Sequence, residues 1–217
     1  MCLREGRLRS WGVHYEGGGG CWGQSEGLVR GDHRIMGPPS VDEERGHPNV
    51  LVTGTPGTGK STFAAALAEE ISWMRHVNVG ELVRERGWHA GWDEQFECHV
   101  LDEDKACDGL EEEVGKGGCV VDYHSCEFFP ERWFDLVVVL RARTEVLYER
   151  LTKRGYSDRK RDENMECEIM QVVLEEARAA YSPDIVVECP SNSVDQMHAN
   201  VARIRELLEA ADGSPPP

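Results

Sequence analysis

Eight consecutive residues, Gly54-Thr55-Pro56-Gly57-Thr58-Gly59-Lys60-Ser61, constrain this chain more than any other feature. They match the phosphate-binding pattern G-x-x-x-x-G-K-[ST] in full. Three glycines let the backbone curl so that successive N–H groups point at one anion. Lys60 adds a point charge at the β- and γ-phosphates of a bound nucleotide, and Ser61 offers a hydroxyl to Mg²⁺. The flanks agree with the motif. Asn49-Val50-Leu51-Val52-Thr53 is a short apolar run that predicts a buried strand. Ser61 to Glu70 is rich in strong helix formers, which sets a helix N-terminus against the phosphates. A chance glycine turn accounts for the glycines alone, not for the lysine, the hydroxyl and both flanks.

A chain of 217 residues suits one domain plus an appendage and buries a core without disulfide staples. Residues 1–46 hold 11 of the 23 glycines and show neither helical nor strand period, which predicts a disordered or loosely attached N-terminal extension. Met36 stands just ahead of the first strand and offers an alternative start. From His47 onward strands and helices alternate. The pattern predicts an α/β P-loop NTPase fold: a five-stranded parallel sheet flanked by helices, over 47–211. The strands fall at 49–53, 76–79, 118–122, 135–140 and 184–188. Runs such as Leu136–Leu140 are apolar throughout, as befits a sheet covered on both faces. Helices fall near 60–72, 80–86, 102–115, 144–154, 163–181 and 194–211. In the last two, Met165, Ile169, Val172 and Val173 form one apolar stripe, and Met197, Val201, Ile204 and Leu208 form another. Both stripes are expected to pack in the core. Residues 212–217 are expected to fray.

A net charge of −16 disfavours nonspecific binding to nucleic acid or to anionic membrane. Sequence-specific nucleic acid binding is not expected, and no apolar run approaches the length of a membrane span. The charge is uneven. Arg141, Arg143, Arg150, Lys153, Arg154, Arg159, Lys160 and Arg161 form a cationic zone, which points either to a polyanion site or to a solvated helix face. The eight cysteines contain no C-x-x-C pair and no zinc spacing. Reduced, partly core-facing thiols of an intracellular protein are expected, and the first 30 residues lack the apolar segment of a signal peptide.

The rest of a nucleotide site is also legible. Gly118-Cys119-Val120-Val121-Asp122 is an apolar strand ending in an acid, so Asp122 is expected to hold a water in the Mg²⁺ shell or else to cap the next turn. His124 lies two residues on, at a strand's carboxyl end, where open α/β sheets bind ligands. It is placed to orient an attacking water or acceptor, or to accept a proton; a structural role is the alternative. Arg150 and Arg154 are four apart on a helix and share a face. Arg154 leads into Gly155-Tyr156-Ser157-Asp158, which reads as the start of a short lid hinged at Gly155. Arg84, after the second strand, either holds an acceptor's phosphate or pairs with Glu81 or Glu85 on the surface.

Taken together, these residues resemble the nucleoside monophosphate kinases. Asn78-Val79-Gly80-Glu81-Leu82-Val83-Arg84 is similar to the acceptor motif of adenylate kinases. In place of their Asp-Gly-Phe-Pro-Arg motif stands Asp122-Tyr123-His124-Ser125-Cys126-Glu127-Phe128-Phe129-Pro130-Glu131-Arg132-Trp133-Phe134. That block, with Leu101–Asp104 and Leu147–Tyr156, resembles the adenylate kinase isoenzyme 6 family of coilin-interacting nuclear ATPases, over about 47–210. The resemblance implies ATP-dependent phosphorylation of AMP and related monophosphates, with ATP hydrolysis and Mg²⁺. It also implies a role in maturing the small ribosomal subunit (18S rRNA processing), in nucleus and cytoplasm, through a small-subunit ribosomal protein and the pre-40S particle. By position it assigns Gly57, Gly59, Lys60, Ser61 and Thr62 to the ATP phosphates and Arg154 to ATP. It assigns 78–101 to a monophosphate-binding flap with Arg84, 153–163 to the lid, and makes His124 the distinctive functional histidine. Two positions depart from the family pattern: Ser125 replaces a usual Gly, and Ser193 a usual Lys. Residues 153–163 contain neither Cys nor His, so the zinc site of longer-lidded adenylate kinases is not expected.

Two other functions share these motifs. One is an assembly ATPase with weak kinase activity, favoured by a lid short enough to admit water. The other is a shikimate-type small-molecule kinase, against which the Arg84 motif stands. A regulatory GTPase is disfavoured, because no Asn-Lys-x-Asp base-reading motif occurs.

Overall fold

A computed structural model of the chain describes residues 45–94 and 98–212. The expected N-terminal extension lies outside the described residues except for Arg45 and Gly46, as do 213–217 of the tail. The described elements, in order, are β1 (Val50–Thr53), α1 (Lys60–Glu70), β2 (Arg75–Asn78), α2 (Val79–Arg86), β3 (His89–Asp93), β4 (Cys98–Leu101), α3 (Glu103–Gly115), β5 (Cys119–Asp122), a 3₁₀ turn (Glu131–Trp133), β6 (Leu136–Arg141), α4 (Thr144–Lys153), α5 (Asp158–Ile169), α6 (Val172–Ala180), β7 (Val186–Pro190) and α7 (Val194–Asp212). Five strands form one parallel sheet in the order β2-β5-β1-β6-β7. This is the predicted α/β P-loop sheet.

Alternation along the central strands divides the core into two layers. Leu51, Val121, Val137 and Val139 face a cluster with Val83, Leu110, Leu174 and an aromatic group that includes Phe129, Trp133 and Phe134. Val50, Val52, Val120, Leu136 and Val138 face a second cluster with Phe63 and Leu67 of α1 and Val201, Ile204 and Leu208 of α7. Asn49 joins the sheet's base to its surroundings. Its side chain donates to the carbonyls of Val114 and Trp133, both at 2.9 Å, and accepts from the Cys119 amide at 2.9 Å. A buried amide so fully bonded is costly to replace, because an apolar residue leaves those partners unsatisfied.

The structure departs from the sequence reading in three places. The single helix expected at 163–181 is two helices, α5 and α6. Gln171 separates them with φ 59°, the one positive φ among described residues other than glycine. Ile169 consequently leaves its expected core stripe and is 59% exposed, while Met165 and Val173 stay buried. The expected flap is more than a helix and a loop: β3 and β4 form an antiparallel hairpin whose tip, 95–97, is outside the described residues. Trp88 seats the flap on α3. A Cβ at Gly109 would stand 2.1 Å from the Trp88 ring, so the helix carries glycine mid-length where the indole packs. The lid segment is chiefly structured. Arg154 caps α4, Gly155 turns the chain at φ 72°, and α5 starts at Asp158. Leu147, Leu151 and Met165 give this corner its own small core, with Tyr156 against it.

Candidate active site

The glycine loop follows β1 and takes its shape from backbone that other residues do not readily adopt. Gly57 and Gly59 both have φ 98°. A Cβ on Gly57 would also come within 2.8 Å of Leu147, because the loop rests on α4. Gly59 caps α1 without a side-chain hydrogen bond, and the first turn holds no acidic residue. The opening N–H groups of α1 are thus left for an anion, with the helix dipole behind them. Arg150 donates to the carbonyls of Ser191 (2.8 Å) and Gly57 (3.4 Å), and the Ser191 hydroxyl donates to the carbonyl of Thr58 (2.6 Å). Arg150 therefore acts as a strut under the loop, while Arg154, expected on the same face, lines the cavity in front of it.

A buried carboxylate that sequence reasoning missed secures the other side. Glu168 of α5 accepts from the Thr55 hydroxyl (2.5 Å), from Arg141 Nε (2.7 Å) and from the Ala142 amide (3.0 Å). Thr55 and Glu168 are 113 residues apart. No local pattern marks that pairing. A charge run around Arg141 was visible, and the structure resolves part of it into this ion pair.

In front of the loop lies a cavity of about 310 Å³. Lys60, Ser61, Arg84, Asp122, His124 and Arg154 all line it. Gly57, Gly59 and Thr62 are not among its lining residues; Thr62 is exposed beside them on α1. Lys60 Nζ donates to the carbonyls of Gly54 (2.8 Å) and Thr55 (3.2 Å). Ser61 Oγ donates to Asp122 Oδ2 at 2.6 Å, and His76 Nε2 lies 2.8 Å from Asp122 Oδ1. A hydroxyl and a carboxylate oxygen this close, beside a lysine, fit a Mg²⁺ held by Ser61 with Asp122 acting through water. Arg84 makes no ion pair with Glu81 or Glu85 among the described residues, and faces the cavity instead. The hairpin adds Trp92 and His99 to the lining, and the lid adds Tyr156. None of these three was singled out from sequence, because their approach to the loop depends on how flap and lid fold back.

Burial lowers the Lys60 ammonium from its ordinary value to about 8; Asp122 opposes the shift and Arg154 reinforces it. A polyphosphate beside Nζ favours the charged amine, so the pKa rises on binding. A group whose pKa rises on binding takes up a proton wherever its free form is partly deprotonated, which here begins near pH 8. Nucleotide binding at about pH 8.5 is therefore expected to consume protons, and affinity to fall by up to about tenfold per pH unit between the free and the bound pKa of Lys60. Calorimetric titration with ATP in buffers of different ionisation enthalpy measures the uptake. A binding heat independent of buffer would contradict it.

The AAA domain family matches residues 50–171. The adenylate kinase isoenzyme 6 homolog of Caenorhabditis elegans is 53% identical over 170 residues, covering 77% of this chain and 93% of that protein. The homolog of Dictyostelium discoideum is 50% identical over 166 residues, covering 76% and 94%. The chain belongs to the adenylate kinase isoenzyme 6 family. Among solved structures, shikimate kinase from Acinetobacter baumannii in complex with shikimate superposes with a TM-score of 0.53 over 74% of this chain and 92% of that one, at 18% identity, a likeness of fold alone.

Ser193, expected from the resemblance to differ from a usual Lys, has a local role. It accepts from the Gln196 amide at 3.2 Å and so caps α7. A lysine there loses that bond.

Proposed function

We propose that the protein transfers the γ-phosphoryl group of ATP to AMP and related nucleoside monophosphates, and that it also hydrolyses ATP. One observation carries this reading: a single cavity is lined by the phosphate-loop residues Lys60 and Ser61, by Arg84 of the flap, and by Asp122 and His124. The acceptor's phosphate binds at Arg84. Its oxygen attacks the γ-phosphorus in line as the bond to the β–γ bridging oxygen breaks, and ADP leaves. Mg²⁺, held by Ser61 and through water by Asp122, would supply charge neutralisation at the transferring phosphates. Lys60 and Arg154 stabilise charge on the transferring group, and the amides at the start of α1 hold the donor's phosphates. In hydrolysis water takes the acceptor's place, with His124 to orient it or accept its proton. Residues 78–101 serve as the monophosphate flap and 153–163 as the lid.

By kinship with the isoenzyme 6 homologs, the reading extends to a role in small-subunit ribosome maturation, in nucleus and cytoplasm, with a small-subunit ribosomal protein as partner. A primarily hydrolytic assembly role is the second reading, supported by the presence of His124 in the same cavity. A coupled assay of the purified protein distinguishes the two. With ATP–Mg²⁺ plus AMP, two ADP should form per ATP consumed, at a rate above that with ATP alone. Equal rates with and without AMP would remove the kinase reading and leave the ATPase.

A further inference from the structure

We propose that His76 is a positioning residue for phosphoryl transfer: it clamps the Asp122 carboxylate so that one oxygen stays turned toward Ser61 and the metal corner of the site. The inference rests on the reading of that corner given above. Asp122 ends β5 and is only 4% exposed. Its two oxygens meet different partners. Oδ2 accepts from the Ser61 hydroxyl at 2.6 Å, and Oδ1 from His76 Nε2 at 2.8 Å. The carboxylate offers no hydrogen, so Nε2 carries it.

The strand pairing explains how His76 arrives there. β2 lies beside β5 with Asn78 opposite Asp122 and His76 opposite Val120. Residues 76 and 78 share one face of β2, and the imidazole reaches diagonally to the acid. Asn78 Nδ2 stands 3.5 Å from Ser61 Oγ, so the same strand also borders the hydroxyl. β2 is an edge strand of the sheet, and the His76 side chain keeps 23% of its surface. Among the described residues, Ser61 and His76 are the side-chain donors to Asp122. The terminal torsion of an aspartate is broad and two-fold. With one donor the carboxylate is free to turn and exchange its oxygens. Donors on both oxygens remove that freedom, and this is how outer residues tune a metal-binding carboxylate. A merely structural histidine would affect stability and leave metal affinity alone.

The test uses the full chain with Mn²⁺ as the probe for Mg²⁺ in its complex with ADP, read by electron paramagnetic resonance. His76→Phe keeps a ring and removes the donor; His76→Gln keeps an amide donor of similar reach; His76→Asn keeps an amide that falls short. His76→Phe and His76→Asn are expected to weaken Mn²⁺ in the ADP complex by on the order of tenfold and to lower kcat by a similar factor. Metal-free ATP affinity should stay within about twofold, and His76→Gln should recover most of both losses. Unchanged Mn²⁺ affinity in His76→Asn would overturn the proposal, as would an equal loss of metal-free ATP affinity. If His76→Phe does not fold, the comparison of Asn with Gln still decides. Failure of the wild-type chain to bind Mn²⁺–ADP would overturn the reading of the site itself, and the proposal with it. Absence of AMP phosphorylation with the Mn²⁺ pattern intact would overturn only the kinase reading.

Discussion

Lys60→Ala is expected to reduce AMP phosphorylation and ATP hydrolysis together, by on the order of a hundredfold or more. Both reactions pass through the same charge on the γ-phosphoryl oxygens, and Lys60 is the loop's own cation in the cavity lining. Its Nζ already lies within hydrogen-bonding reach of the Gly54 and Thr55 carbonyls, so the amine is held at the loop rather than free in solvent. Folding should survive the change. Burial disfavours this ammonium, as its lowered pKa records, and removing it leaves two loop carbonyls that water can reach through the cavity. The measurement is steady-state turnover at saturating ATP–Mg²⁺, with and without AMP, beside a thermal melt. Near-wild-type turnover would contradict the assignment. Loss of only one activity would mean that the two reactions do not share this cation.

His124→Ala is expected to separate the two reactions. An acceptor monophosphate is already an anion near neutral pH and needs arginines rather than a base, whereas water is a poorer nucleophile and gains from an orienting imidazole. His124 follows Asp122 by two residues, lines the cavity, and has its ring 4.3 Å from that of Tyr123. Hydrolysis should fall by about a hundredfold or more, the lower end of what a positioned acid or base contributes. AMP phosphorylation should fall less and ATP affinity should be largely kept. If hydrolysis drives release from a ribosomal precursor, this variant should also remain bound to it. ATP affinity, ATPase rate and AMP phosphorylation are measured side by side. An equal loss of both rates would make His124 a shaper of the shared site, and unchanged hydrolysis would take it out of the mechanism.

These expectations combine features of two kinds. The loop at 54–61, the strand that ends in Asp122 and the helix that carries Arg84 were legible in sequence because each is local. A glycine loop between strand and helix sets its own backbone, and an acid at a strand's carboxyl end is placed by that strand alone. The helix break was less legible. Met165 to Val173 reads as one apolar stripe, yet Gln171 turns left-handed and Ile169 points to solvent. Tertiary packing of α5 on α4 and of α6 on β6 and β7 overrides the local period there.

The nearest supports of the reactive corner were not legible at all. Glu168 reaches Thr55 across 113 residues, Arg150 reaches Gly57 across 93, and His76 reaches Asp122 across 46. Each is an ordinary residue type in an ordinary local setting. The sequence by itself determined the parallel sheet, the phosphate loop and the acid beside it, because backbone geometry and side-chain periodicity act over a few residues. Only the tertiary structure decided which arginine props the loop and which faces the cavity, and which histidine touches the acid. Those choices depend on strand order and helix docking, which bring distant residues within hydrogen-bonding distance.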